Sequence, residues 1–398
     1  MKKQLLAAAV AGAIAAPAAM AAEGPSVNIY YPMAIQIGST DSNNGTSTTD
    51  NETLVDGGGA RLMFTWTDQL NNGMGLTAYM SFGNLAASNG NPDFSANTVS
   101  VRNAHLALTG DHGSIGFGTM ENFFELDTII DGYGADWGNG GAPLYFIQLG
   151  RTGFFFTRRD GESVFWNSKD MNGFSAKAAY TFGPAAVAGN AADPTGYQLG
   201  VQYASGALSI GANMAQYDDY PADGGVTDAA FSIDQANSAA GANAVLVAGS
   251  APIAGSDASA QSWRASYDFG SFKVSGTMFS MKQTLGAQNQ GVEATGYGIN
   301  VTMPISTGRV IFNMSELDDQ DVTQGGTTSA LNDSGKAGFD ISYQHDVSAN
   351  TYMFIMYAAQ DTGDNFDDNG AANANLRATN GDTDSESSAI MLGLTASF

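Results

Sequence analysis

The chain has 398 residues, 50 of them glycine and none cysteine, and a formal charge of −24 at pH 7. The missing cysteines exclude a disulfide scaffold and any thiolate metal site, and the acidic balance argues against nucleic acid as a partner. No apolar run reaches the roughly 20 residues of a membrane-spanning helix, and no Pro-rich linker, charge block or change of texture divides the chain, which points to one large all-β unit rather than two domains.

Met1-Lys2-Lys3 is a short basic start, Leu5 to Ala16 is an unbroken apolar run, and Ala19-Met20-Ala21 puts small residues at −3 and −1 of a cleavage site. Residues 1–21 therefore read as a secretory signal peptide, with residues 22–398 as a single β domain. Removing Lys2 and Lys3 with the signal takes the formal charge from −24 to −26. The first strand is expected near Val27 to Ile37. Pro32 inside it lacks a ladder donor, which suggests a bulge there. In the next strand, Leu62, Phe64 and Trp66 can share an apolar face only if Arg61 takes the other.

Further along, the alternation is strict. Phe174, Ala176, Ala178, Tyr180 and Phe182 oppose Ser175, Lys177, Ala179 and Thr181. Tyr197 to Tyr203 sets Tyr, Leu, Val and Tyr against Gln, Gly and Gln. Trp263, Ala265, Tyr267 and Phe269 oppose Arg264, Ser266 and Asp268. Tyr297 to Met303 and Phe339 to Gln344 repeat the pattern. The tail does so again, with Ile390, Leu392, Leu394, Ala396 and Phe398 on one face and Met391, Gly393, Thr395 and Ser397 on the other. Period two with aromatic ends fits strands that are apolar outside, watery inside and girdled at two interfaces. A ten-residue strand tilted by about 40° rises roughly 25 Å, the height of such an apolar band.

The connections alternate as well. Short ones, expected as tight turns, lie at 69–73, 110–113, 170–173, around Gly206, and at 268–271, 304–308 and 345–348. Long polar ones lie at about 38–56, 83–97, 122–152, 183–195, 217–260, 282–293, 317–335 and 361–386. These eight long and seven short connections join sixteen strands. The expected fold is an all-β, 16-stranded antiparallel transmembrane barrel with short periplasmic turns and long extracellular loops. The last strand pairs with the first, so no sheet edge is left in lipid.

Ala60 to Leu76 resembles the second strand, turn and third strand of the Gram-negative general diffusion porins, and Val101 to Gly118 resembles their fourth and fifth. Arg158 to Ser168 with Asn172-Gly-Phe174 is similar to their sixth and seventh, and Tyr343 to Tyr357 to the strand before the last loop. The resemblance implies a homotrimer of pores in the outer membrane of a Gram-negative bacterium. It also implies a third loop, here about 122–152, folded into the lumen and bearing carboxylates, with Asp136 the best match and Asp131 and Asp127 beside it. Arg61, Arg102 and Arg158 are the implied facing basic wall; with Arg102 inward, Asn103 and His105 fall outward, which is poor for lipid contact, and the resemblance gives them a role at the trimer interface. Arg158 and Arg159 are adjacent, so only one points inward, and the spacing to Asn167-Ser168 favours Arg158. The terminal Phe398 matches the family's signal to the barrel-assembly machinery.

The function this implies is passive diffusion of small hydrophilic solutes and ions, without cofactor or catalysis. The net charge suggests weak cation preference, which three arginines at the narrow point could locally offset. A sugar- or anion-selective porin and a surface adhesin are the alternatives. Asn365 to Gly370 resembles the start of a calcium loop, but Leu376 stands where its closing Glu belongs. Mg²⁺ or Ca²⁺ bridging between acidic loops and lipopolysaccharide is the more plausible divalent chemistry. His105, His112 and His345 are isolated and form no metal-ligand spacing.

Overall fold

The computed structural model describes residues 26–42, 49–56, 61–83, 100–121, 123, 159–182, 195–219, 232–235, 244–247, 256–285, 290–324, 327–331, 335–362 and 385–397. The signal peptide and Phe398 lie outside these residues. In chain order the first elements are β1 (Ser26–Ser42), β2 (Thr49–Asp56), β3 (Arg61–Gln69), β4 (Gly75–Gly83), β5 (Ser100–Gly110), β6 (Gly113–Glu121) and β7 (Arg159–Asn167). Next come β8 (Phe174–Phe182), β9 (Thr195–Ser205), β10 (Leu208–Asp218), β11 (Ser232–Gln235), β12 (Ala244–Val247), β13 (Ser256–Asp268) and β14 (Lys273–Leu285). The last are β15 (Gln290–Ile305), β16 (Gly308–Leu317), β17 (Gln320–Gln324), β18 (Thr327–Leu331), β19 (Lys336–Ser348), β20 (Thr351–Thr362) and β21 (Ser385–Ser397).

All but the β11–β12 hairpin join one antiparallel sheet of 19 segments. Since β2 continues β3 along β1, and β17 and β18 extend β16 and β19, these segments make a 16-stranded barrel. Closure is by β21 on β1, with Tyr30 opposite Ser397 and Ser42 opposite Ser385. The pairing runs five residues further toward the loops than Ile37. No register shift marks Pro32, which pairs with Thr395. On its other side β1 pairs with β3 up to Tyr30 and with β2 from Met33. Pro32 thus falls in the gap between two partners, where a ladder donor is not needed.

The turns follow the sequence closely. Asn172 and Gly173 both have positive φ (58° and 89°), as a two-residue hairpin turn of this hand requires. A Cβ on Gly173 would lie 2.1 Å from the Ala204 carbonyl oxygen, so the turn also depends on a close approach. Asp268 accepts the Gly270 N–H at 2.7 Å in the same manner as Asp170 accepts that of Gly173. The turn expected at 345–348 is displaced. A register shift between Asp346 and Ser348 carries β19 onward, and Ala349-Asn350 makes the turn instead.

Several expected loops are strand. β1 and β2 leave only 43–48 between them, β14 and β15 leave only 286–289, and β17–β18 fills most of 317–335. Backbone pairing needs no side-chain alternation once a strand has left the apolar band, so polar segments can extend it.

The outer face is an apolar belt. Trp263, Met278, Ile299, Met314, Ile341, Ile355 and Leu392 are exposed on neighbouring strands. Its edges are aromatic with satisfied polar tips. The Tyr197 hydroxyl donates to Gln216 at 2.6 Å, the Tyr297 hydroxyl donates to Glu316, and Trp166 Nε1 donates to the His112 carbonyl at 3.1 Å. Such rings suit an interface that is apolar on one side and wet on the other. Beyond the loop-side edge the outer face turns polar, with Lys282 and Glu293 paired at 3.2 Å. Among the described residues no helix is long and apolar enough to cross a membrane.

Candidate functional site

The inner face of the barrel is where function can reside, and register defines it. Val27 and Ile29 are exposed and pair with Phe64 and Leu62, so Arg61, Met63 and Thr65 face inward. Arg61 is where its parity places it. Its Nε is buried and makes no hydrogen bond among the described residues.

Asn103 and His105 are not where parity placed them. A register shift between Ser81 and Phe82 leaves Val101 opposite Phe82 and Asn103 opposite Ser81. Arg102 is the extra residue of this bulge, and the alternation inverts across it. Asn103 is therefore inward and buried, its N–H donating to the Ser81 hydroxyl at 3.2 Å. His105 lies inward between Tyr79, 5.2 Å away, and the edge-on ring of Phe165 at 5.3 Å. The expected subunit-interface role for these two residues is withdrawn. The Arg102 side chain, Arg158, Asp127, Asp131 and Asp136 lie outside the described residues, as does the 365–370 segment.

Phe123, the one described residue between β6 and β7, is found inside the barrel. Phe123 stands over the inner faces of β7, β8 and β9. Its ring packs with Met120, Phe165 and Ala179, and it is 4 % exposed. Its N–H donates to Gln198 Oε1 on β9 at 2.6 Å, and the Lys177 ammonium sits 4.5 Å from its ring centroid. Residue 123 is where the expected constriction loop begins, and its backbone is held three strands from β6 by inward side chains.

Other inward charges went unremarked as candidate site residues, although the parity that placed Arg61 also places them. Lys177, Arg264, Lys273 and Arg309 all face inward. Arg264 donates to Gln202 Oε1 at 2.6 Å and Arg309 to Gln344 Oε1. The inward acids described are Asp268, Asp340 and Asp346. Asp340 ends a directed chain on three strands. The Thr302 hydroxyl donates to Asn300 (3.1 Å), Asn300 to Asn313 (2.7 Å), and Asn313 to Asp340 Oδ1 (2.9 Å). Such amide chains fix side chains that would otherwise be costly to bury.

Several inward residues are buried rather than open to water. Thr395 of the last strand, expected to meet water, is 1 % exposed, and Asp340 is 0 % exposed. β20 also departs from the polar-inside rule, since Phe354, Met356 and Ala358 form a buried apolar cluster on its inner face. Three large inward rings lie flat against the wall because the facing residue is glycine. A Cβ on Gly116 would come within 2.0 Å of the Phe165 ring, one on Gly196 within 2.3 Å of Tyr217, and one on Gly296 within 2.5 Å of Phe279. Among the described residues no group of His, Asp and Glu gathers as a metal site. Fixed charges of both signs around a curved wall can orient a dipolar solute in passage.

A family profile described as Gram-negative porin matches residues 6–365. Solved structures share the fold at low identity. The anion-selective porin from Comamonas acidovorans is 16% identical with a TM-score of 0.62, covering 94% of this chain and 100% of its own. A loop-deletion mutant of OmpT, an outer membrane protein of Vibrio cholerae, is 14% identical with a TM-score of 0.61 and the same coverage. The outer membrane channel DcaP of Acinetobacter baumannii is 12% identical with a TM-score of 0.56, covering 94% of this chain and 98% of its own. No curated protein sequence is similar to this chain.

Proposed function

Because the chain belongs to the Gram-negative porins, we propose that this outer-membrane channel protein passes small hydrophilic solutes and ions by passive diffusion, with a weak preference for cations. The observation that carries this reading is the pairing of a closed, externally apolar barrel with an inward-held Phe123 at the root of the third long connection. From there the loop acids Asp136, Asp131 and Asp127 would face Arg61, Arg102 and Arg158 across the narrow point. A solute crossing that gap would meet opposite charges on its two sides, which favours hydrated and dipolar molecules over apolar ones. The cation preference rests on the −26 formal charge of residues 22–398, whose field concentrates cations at the mouths. No catalytic step and no cofactor enter this function.

A homotrimer is part of the proposal, supported by the solved trimer form of the Vibrio cholerae OmpT, 15% identical with a TM-score of 0.59 over 94% of this chain. Phe398 would present the barrel to its assembly machinery. Acidic loops would meet lipopolysaccharide through Mg²⁺ or Ca²⁺.

An anion-preferring pore is the second reading. The described inner face carries Arg61, Lys177, Arg264, Lys273 and Arg309 against Asp268, Asp340 and Asp346, and one structural relative is an anion-selective porin. Reversal potential across a bilayer under a KCl gradient decides between them. The cation reading expects the potential to follow K⁺, and a potential that follows Cl⁻ establishes the other. Arg61→Ala should move it toward cations and Asp136→Ala toward anions. If neither variant moves it, the constriction assignment is wrong.

A further inference from the structure

The short-turn end of the inner wall holds a cavity of about 400 Å³ lined by Asp268, Lys273, Thr302, Pro304, Arg309 and Asp346, with the turn glycines Gly270 and Gly308. Register places these six side chains on one face: Asp268 opposes Lys273, Lys273 opposes Thr302, and Pro304 opposes Arg309. Asp346 lies two residues beyond Gln344, the inward partner of Arg309. In a barrel whose short turns are periplasmic, this is the periplasmic mouth of the lumen. We propose that this cavity is a binding subsite for small zwitterionic solutes of amino-acid size.

Three features support that chemistry. First, the volume lies at the small end of the range for ligand pockets, about 300–1,000 Å³, so the occupant is small. Second, the charges are mixed. Lys273 and Arg309 suit a carboxylate, while Asp268 and Asp346 suit an ammonium. A simple anion would meet both acids and a simple cation both bases. A neutral polyol could hydrogen-bond to either pair but would neutralise neither. A molecule bearing both charges makes charge-assisted bonds with both pairs. Third, the walls are set in advance. Asp268 takes the Gly270 N–H at 2.7 Å, Phe269 N–H reaches the Phe272 carbonyl at 2.9 Å, and those two rings stack with centroids 4.7 Å apart. Asp346 N–H bonds the Thr307 carbonyl at 2.8 Å, tying the third turn to the second. Gln344 holds Arg309 through Nε, which orients the far edge of the guanidinium, the edge that grips a carboxylate with two parallel bonds.

The subsite deepens the channel reading by naming a solute class that dwells at the exit, and it rests on that reading. The test separates the two. L-alanine binding to the solubilised full-length protein, followed by saturation-transfer NMR, needs no conduction. KCl conductance of the same preparation reports on the pore alone. L-alanine should bind more tightly than propionate or ethylamine. Lys273→Gln should weaken it by about tenfold, the loss expected for one charge-assisted hydrogen bond, and Arg309→Gln, which removes a two-bond grip, by more. Asp346→Asn should weaken alanine binding and strengthen propionate binding; its side chain is not part of the Arg309–Gln344 contact, so it tests the idea even if Arg309→Gln folds poorly. Equal binding of alanine and propionate to the unmodified protein overturns the proposal, as does undiminished alanine binding in Lys273→Gln. Loss of conductance with alanine binding intact would refute the channel reading and leave the subsite standing.

Discussion

Phe123→Ala tests the proposal that the third long connection is anchored in the lumen. The ring is 4 % exposed and packed by Met120, Phe165 and Ala179. Truncating a ring so buried costs about 3–5 kcal/mol. The Lys177 ammonium at 4.5 Å contributes about 0.5–2 kcal/mol of that through its attraction to the ring face. The strand ladders themselves should be spared, because the Phe123 N–H bonds the Gln198 side chain rather than a strand backbone. The barrel should therefore fold and resist heat as before, while docking of the loop root weakens by on the order of a hundredfold, taking the lower figure of about 3 kcal/mol. Single-channel recording should show a larger and noisier conductance. Gln198→Ala should act the same way but less strongly. A Phe123→Ala protein that is fully folded, with unaltered conductance and noise, would show that Phe123 does not set the pore.

Two further predictions concern the barrel itself. Leu392 is 49 % exposed in the outer belt between Ile35 and Ile355, and Leu392→Arg should destabilise the folded barrel by about 2–4 kcal/mol in urea titrations in lipid; an unchanged midpoint would mean that this face does not meet hydrocarbon. Asp257 lies on the loop side of Trp263, outside the span. Burial, then repulsion from Asp218 and Asp219, raises its carboxyl above the usual 3.8. A raised carboxyl penalises the folded state when ionised, fully above the raised value and not at all below the ordinary one. Asp257→Asn should therefore raise the heat resistance of the barrel at neutral pH and leave it unchanged at about pH 3, and an equal gain at both would rule out the charge as the cause.

The fold was legible because lipid on one side imposes period two, and because hairpin turns need residues such as Asn172-Gly173. The alternation at Phe174–Phe182, Tyr197–Tyr203 and Ile390–Ala396 placed every exposed apolar residue correctly. It misplaced Asn103 and His105 because a single extra residue at Arg102 inverts the count, and nothing in Val101-Arg-Asn marks a bulge. Strand extensions at 38–42 and 282–285 were read as loop because backbone pairing above the membrane carries no side-chain pattern. Lys177, Arg264 and Arg309 were within reach of the parity that found Arg61. Phe123 was not. The pair Phe123-Phe124 after Glu121 shows no alternation, and the position of Phe123 is defined only by contacts with β6, β7, β8 and β9.

The rings lying over Gly116, Gly196 and Gly296 give glycine a dimensional role in this chain. Each absent methyl lets a large side chain recline instead of standing toward the axis, so bore is written into the wall separately from charge. A change of one carbon at Gly116 or Gly196 would lift Phe165 or Tyr217 into the passage without touching an arginine or a carboxylate. Calibre and ionic preference can therefore diverge independently between related channels, the first through alanine and glycine exchange, the second through the charged residues.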